Sequence, residues 1–178
     1  MKIAVIGFSG SGKSTLAKDL GRAFHIPVLH LDRVHWVRGW KERPLGKRQA
    51  IVRNFMDTKD SWVIDGNYNK LEYERRLFET DQIVFMNFNR FSCLYRVGKR
   101  YWKYRGRTRE DMGKGCKEKL DLEFVWWILY KARTRKKWME YKKIMRQYKK
   151  KMVVISNQNQ LNAYKKDFLR NLDNFSCP

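Results

Sequence analysis

The chain carries, almost at its start, Gly7-Phe8-Ser9-Gly10-Ser11-Gly12-Lys13-Ser14-Thr15. The spacing Gly7-x-x-x-x-Gly12-Lys13-Ser14 is that of a loop that cradles phosphate. Glycines let the backbone curl until its N–H groups converge on phosphate oxygens, and a following helix adds the positive end of its dipole. On this reading Gly7, Ser9, Gly10, Ser11, Gly12, Lys13, Ser14 and Thr15 hold a nucleoside triphosphate. Lys13 reaches the β- and γ-phosphates as a catalytic cation, the Ser14 hydroxyl ligates Mg²⁺, and Thr15 touches the α-phosphate. ATP and Mg²⁺ are therefore the expected cofactors. The loop leaves open whether the terminal phosphate goes to water, to an acceptor, or nowhere.

Two carboxylates and several arginines bear on that question. Asp65 ends the apolar run "WVIDG" and is expected to support the metal together with Ser14; an Asp-Gly turn or a helix cap is the alternative. Asp32, in "HLDRVHW", is expected at the carboxyl end of a second strand, where it would take the proton of an acceptor hydroxyl. A cap, or a salt bridge to Arg33 or Arg38, would also explain it. His35, Trp36 and Trp40 serve equally as walls of an acceptor pocket or as core aromatics. Arg96 and Arg100 share one helical face at a four-residue spacing. With Arg133 and Arg135 they are candidates to stabilise charge on a transferring phosphoryl group; solvated surface arginines are the alternative.

These groups need a scaffold that brings them to one edge. Short apolar runs at Lys2–Ile6, Pro27–Leu31, Ser61–Ile64, Gln82–Phe88 and Met152–Ser156 predict five strands. Helical periodicity at Ser14–Phe24, Lys47–Met56, Tyr73–Phe78 and Gln158–Leu172 alternates with them. The pattern predicts a three-layer α/β/α domain with a five-stranded parallel sheet covered on both faces. Residues 91–148 break the rhythm. Ser92–Tyr104 reads as one helix and Asp121–Tyr148 as one or two more, joined by "RGRTREDMGKGCKEK", whose composition suits a mobile connection. Such a helical insert would be a lid over the ligand, or else an exposed hairpin with no moving part.

The 178 residues suit one domain, residues 1–178, with 43% hydrophobic content and a formal charge of +22. Residues 90–151 hold 22 Lys/Arg against 6 Asp/Glu, a net +16. That basic middle fits a polyanionic partner, nucleotide phosphates or nucleic acid, as well as a plain solvated surface. No apolar run reaches the ~20 residues of a membrane helix and no secretory leader is legible. Cys93, Cys116 and Cys177 lack metal spacing and read as reduced thiols of a cytoplasmic protein.

"GFSGSGKSTLA", "PVLHLDRVHW", "WVIDGNY", "YERRL" and "FNRFSCLYRVGKRY…RGRTREDM" together resemble the bacterial DNA topology modulation protein family, which is related to adenylate kinases. The resemblance spans residues 1–160. It implies a P-loop NTPase fold of the nucleotide-kinase type, a lid, binding of ATP·Mg²⁺ and phosphotransfer to a nucleotide or small hydroxyl acceptor. The alternative it implies is an ATP-binding regulator associated with nucleic acid through the basic insert, although no DNA-reading module is present. Adenylate kinases follow their Asp-Gly with Phe-Pro-Arg, whereas Asp65-Gly66 is followed by Asn67-Tyr68-Asn69. An aspartate at the end of strand two looks more like small-molecule kinases of the shikimate or gluconate type, which act on a hydroxyl. Arg43, Arg75 and Arg76 remain candidates to grip an acceptor phosphate.

Overall fold

The computed structural model describes residues 1–175, with side-chain surroundings as far as Phe168; Cys177 lies outside the described residues. In chain order the elements begin with β1 (Lys2–Gly7), α1 (Lys13–Ala23), β2 (Val28–His30), α2 (Leu31–His35), β3 (Trp36–Val37) and β4 (Lys41–Glu42). Then come α3 (Leu45–Thr58), β5 (Trp62–Asp65), α4 (Tyr73–Glu79), β6 (Gln82–Met86) and α5 (Arg90–Tyr104). The chain closes with α6 (Leu122–Leu129), a 3-10 turn Lys131–Arg133, α7 (Arg135–Gln147), β7 (Met152–Ile155) and α8 (Gln158–Phe175).

Five parallel strands form one sheet in the order β2-β5-β1-β6-β7. Ile3 to Ile6 are buried, as expected of a central strand covered on both faces. In register, Ala4 stands opposite Ile64 on one side and Ile83 on the other. The chain runs from β1 to β2 at one edge and later crosses past β1, from β5 to β6, toward the other, which opens a crevice at the sheet's carboxyl end. α1 buries Leu16, Ala17 and Leu20. At Gly21 it lies so close to β2 that an added Cβ would sit 2.1 Å from Val28 Cγ2. The helices of the insert start on side-chain caps: Asn89 accepts from Ser92 N at 2.8 Å and Asp121 from Phe124 N at 2.8 Å.

The five-stranded parallel sheet and its flanking helices match the fold class read from the pattern. Several details differ. β2 ends at His30, so Asp32 is not a strand terminus; it lies in the first turn of α2. The reason is packing: Leu31 is fully buried beneath Gly66, where an added Cβ would be 2.9 Å from Leu31 Cβ, and the chain turns to keep it there. A second sheet, the β3–β4 hairpin, was not expected. Its turn uses two successive left-handed residues, Gly39 (φ 76°) and Trp40 (φ 61°), and only one of them is glycine.

The connection 105–119 is also packed rather than free. Met112, Cys116, Asp111 and Glu118 are buried, and bridges join Arg105 to Glu118 and Thr108 to Lys117. It docks on the hairpin: Cys116 Sγ donates to Val37 O at 3.1 Å and Trp40 Nε1 to Lys117 O at 3.1 Å. Among the described residues no helix is long and apolar enough to cross a membrane.

Candidate functional site

Where β1 ends, the backbone adopts three left-handed glycines in six residues: Gly7 (φ 137°), Gly10 (φ 77°) and Gly12 (φ 98°). At Gly7 a Cβ would also collide with Met86 O, 2.4 Å away. Among the described residues no carbonyl accepts from the amides of Gly12, Lys13 or Ser14; they are the free donors of the α1 N-terminus. The Ser11 hydroxyl is fully buried and has no partner. Buried polar groups are nearly always paired, so a loop of free amides around an orphaned hydroxyl fits a bound anion. Lys13 Nζ folds back to donate to Phe8 O at 3.0 Å. Desolvation lowers its pKa, against the pull of Asp32 and Asp65. Ser9 and Thr15 are partly or fully exposed at the loop's outer side.

The metal-side expectation has a geometric counterpart. Ser14 Oγ donates to Asp65 Oδ2 at 2.8 Å. Asp65 is buried at the end of β5, and its other oxygen meets His30 Nδ1 at 2.5 Å. β2 and β5 place His30 and Asp65 in direct register. His30 was missed at the sequence level, although it stands two residues before Asp32 in "HLD". Among the described residues no cluster of three or more His, Cys, Asp or Glu forms a cation site. An ion here would be held by Ser14, Asp65 and the ligand's own phosphate oxygens.

Asp32 makes no salt bridge with Arg33 or Arg38. Its Oδ1 accepts from the Tyr68 hydroxyl at 2.7 Å. Tyr68 is held under the His35 ring at 4.5 Å, and burial followed by the Asp32 charge pushes its pKa up. His35 meets Trp36 edge-on at 4.5 Å, and Trp36 meets Trp40 at 5.6 Å. Burial and then Arg48 lower the pKa of His35.

Asn67 and Tyr68 were noted only as the place where an arginine is missing. Asn67 Oδ1 accepts from Gly7 N at 3.0 Å, and its Nδ2 donates to Gly7 O and to Tyr141 Oη, the latter at 2.9 Å. It therefore clamps the entrance of the glycine loop to β5 and α7. Arg76, fully buried, donates to the carbonyls of Leu71, Gly66 and Tyr68 at 2.9, 3.2 and 3.1 Å. Burial lowers its pKa to about 10. It is a brace for the Asp65–Tyr68 turn and has no free face for an acceptor. Arg75 is likewise engaged, with Asp57 and Glu79 at 2.6 Å each.

The four insert arginines fall into three groups. Arg96 Nη1 donates to Ser11 O at 2.6 Å, and its guanidinium lies over the Phe88 ring at 3.8 Å. Arg133 Nη2 donates to Phe88 O at 2.6 Å, and its guanidinium covers the Phe8 ring at 3.8 Å; its Nε is buried without a partner. Desolvation lowers the pKa of both, and burial raises that of the adjacent Cys93 thiol. Arg100 is paired with Glu118 at 2.7 Å. Arg109 holds Glu118 at 2.6 Å and Asp111 at 2.5 Å, and Lys18 of α1 reaches Asp111 at 3.5 Å. This chain of charges ties the connection 105–119 to α1. Arg135 is exposed at the start of α7. A cavity of about 480 Å³ opens between α5 and the β7–α8 junction, lined by Phe88, Ser92, Tyr95, Arg96, Asn157 and Gln158. Arg96 joins it to the glycine loop.

No protein-family model matches the chain, and no curated protein matches it either. Solved structures do. TT1252 from Thermus thermophilus is similar over 97% of both chains at 16% identity, with a TM-score of 0.56. Shikimate kinase from Acinetobacter baumannii, in complex with shikimate, matches over 99% of this chain and 95% of its own at 12% identity, TM-score 0.51. Deoxyadenosine kinase from M. mycoides, with dCMP and dCDP bound, matches over 99% and 100% at 13% identity, TM-score 0.50. At these identities the likeness is one of fold: the chain shares with these proteins a five-stranded parallel sheet flanked by helices.

Proposed function

We propose that the chain is an ATP-dependent phosphotransferase with a small-molecule acceptor. The observation that carries this reading is the convergence on Lys13. Asp65 is paired with Ser14 and Asp32 with Tyr68, and both carboxylates bear electrostatically on the same ammonium. A switch protein needs only the first pair, whereas transfer to an acceptor needs the second.

In this reading the free amides of Gly12, Lys13 and Ser14 bind the β- and γ-phosphates, Lys13 neutralises developing charge, and the nucleotide base enters the α5 cavity beside Arg96. Ser14 and Asp65 would hold Mg²⁺, which would supply positive charge to offset the negative charge developing on the leaving diphosphate. Asp32 accepts the acceptor's proton as its oxygen attacks the γ-phosphorus. The bond from that phosphorus to the β,γ-bridging oxygen breaks, and ADP leaves with the electron pair. Arg96 and Arg133 of the insert, residues 91–148, act as a lid that covers the phosphates; Arg100, paired with Glu118, and Arg135 contribute only if the lid moves. Residues 1–178 act in this reading as one domain, with a finer likeness to DNA topology modulation proteins.

Calorimetric titration with Mg·ATP tests it. Lys13→Ala is expected to weaken binding at least about tenfold, equivalent to about 1.4 kcal/mol. Unchanged affinity would remove the phosphate-loop assignment. Asp32→Asn is expected to keep ATP affinity and lose transfer.

A second reading, an ATP-binding regulator that touches nucleic acid, is favoured by one surface. Phe91, Tyr95 and Trp102 of α5 are 72%, 72% and 76% exposed beside Lys99 and Lys103. Aromatic faces mixed with cations suit stacked bases. Filter binding to single-stranded DNA across a salt series decides it, with Lys99→Gln/Lys103→Gln flattening the slope if DNA binds there.

A further inference from the structure

A second cavity, of about 370 Å³, lies between α1 and the edge strand β2. Its make-up follows from two periodicities. Lys18, Gly21 and Arg22 share one face of α1, and Val28 and His30 share one face of β2. Gly21, which has no Cβ to meet Val28, lets the two faces come together. Arg33 of α2 and Glu110 of the connection 105–119 complete the walls. None of these residues belongs to the glycine loop.

The charges around this cavity are out of balance. Three cations line it, and its one carboxylate is Glu110. Lys18 and Arg22, four residues apart on a helix, repel each other. Glu110 engages Lys18 at 3.1 Å, and Lys18 also reaches Asp111 at 3.5 Å. Among the described residues Arg22 and Arg33 belong to no ion pair. Two exposed arginines on a convex surface would be solvated and no more. Here they share a concave wall with Lys18, over a floor of Ile26 and Val28 that is partly screened from water. The volume falls in the range of small-molecule pockets, which begins at about 300 Å³. With His30 counted as neutral, the walls carry a net +2. A phosphate monoester, at close to −2 near neutral pH, matches that charge better than a carboxylate does. Its oxygens also suit the two-pronged guanidinium.

We infer that this cleft binds a small phosphate-bearing molecule, held by Arg22, Arg33 and Lys18 with its apolar part on Ile26 and Val28. The ligand competes with Glu110 for Lys18 and is bound whether or not the glycine loop is filled. Because Lys18 ties Glu110 and Asp111 to α1, its occupant also loosens the connection 105–119.

Calorimetric titration with phenyl phosphate tests this, in excess non-hydrolysable Mg·ATP analogue to keep the probe out of the glycine loop. Wild-type protein is expected to bind it at about 1 mM or tighter. Arg22→Gln/Arg33→Gln, at two exposed positions, should weaken binding at least about tenfold more than Lys149→Gln/Lys150→Gln, the same charge change on exposed residues before β7. No binding at about 1 mM, or a smaller difference between the two pairs, marks an adventitious anion on a basic surface and overturns the site. A probe that entered the glycine loop instead would ignore Arg22 and Arg33, and so counts against the site as well. Glu110→Gln, which removes the internal counter-ion, should tighten binding at least about threefold relative to Glu123→Gln on α6. Equal affinities of these two variants would overturn the competition for Lys18.

Discussion

Replacing Asn67 by alanine probes the clamp on the glycine loop most directly. The side chain accepts from Gly7 N at 3.0 Å and donates to Gly7 O and, at 2.9 Å, to Tyr141 Oη. Gly7 and Tyr141 are buried, so water cannot freely replace these partners. Three hydrogen bonds at about 1 kcal/mol net each give a loss of about 3 kcal/mol, and an amide left unpaired at Gly7 adds to it rather than offsetting it. For a chain of this size that lowers Tm by about 10 °C. Asn67→Asp sharpens the assay. It keeps the acceptor for Gly7 N but turns a charged oxygen toward Gly7 O, so at neutral pH it should cost about as much as alanine. It should recover part of the loss below about pH 4, where the carboxyl protonates and can donate. Urea unfolding followed by circular dichroism, at neutral and acid pH, reads both. A loss under about 1 kcal/mol for alanine, or an aspartate variant as stable as wild type at neutral pH, would refute the clamp.

Other substitutions address the docked connection. Glu118→Gln removes the carboxylate shared by Arg100 and Arg109 and leaves two crowded guanidiniums; a loss of about 3 kcal/mol is expected in urea unfolding. Burial pushes the Asp111 carboxyl up, but Arg109 and Lys18 outweigh it and hold it below the ordinary carboxylate range. Its folded pKa is thus depressed. The stabilisation is present above the unfolded value of about 4 and lost as pH falls through the folded value. Asp111→Asn should therefore flatten the fall of the urea midpoint between about pH 5 and pH 2, and an unaltered slope would contradict the pairing. Gly113→Ala sets a Cβ 2.0 Å from Trp36 O, so the connection must lift off the hairpin. Limited proteolysis at Arg105, Arg107 and Arg109 should accelerate while the unfolding of the sheet changes little.

Much of the donor end was legible in the order of residues alone, because its chemistry is local. Gly7, Gly12, Lys13 and Ser14 sit within eight positions, and the same short segment that positions them also supplies the amides. The apolar runs that make β1, β5, β6 and β7 are likewise local, and parallel order follows from their alternation with helices. The partners of Asp65, Asp32 and the glycine loop were not local. His30 meets Asp65 across 35 residues, Asn67 meets Gly7 across 60, Tyr68 meets Asp32 across 36, and Arg96 meets Ser11 across 85. In sequence each of these is an ordinary polar residue near a turn, and only the register of the sheet and the path of α5 turn it into a partner.

The same holds for the arginines. Composition showed a basic insert, but a guanidinium's role depends on what it has already been given to bind. Tertiary packing commits Arg76 to three carbonyls and Arg100 to Glu118, and it sets Arg96 and Arg133 against the glycine loop and leaves Arg135 exposed. The sequence by itself determined the curled glycine loop and the layered sheet, since both arise from neighbours in the chain. Which charges remain free to meet a substrate was decided only when distant segments packed together, because a hydrogen bond spent on the protein is no longer available to a ligand.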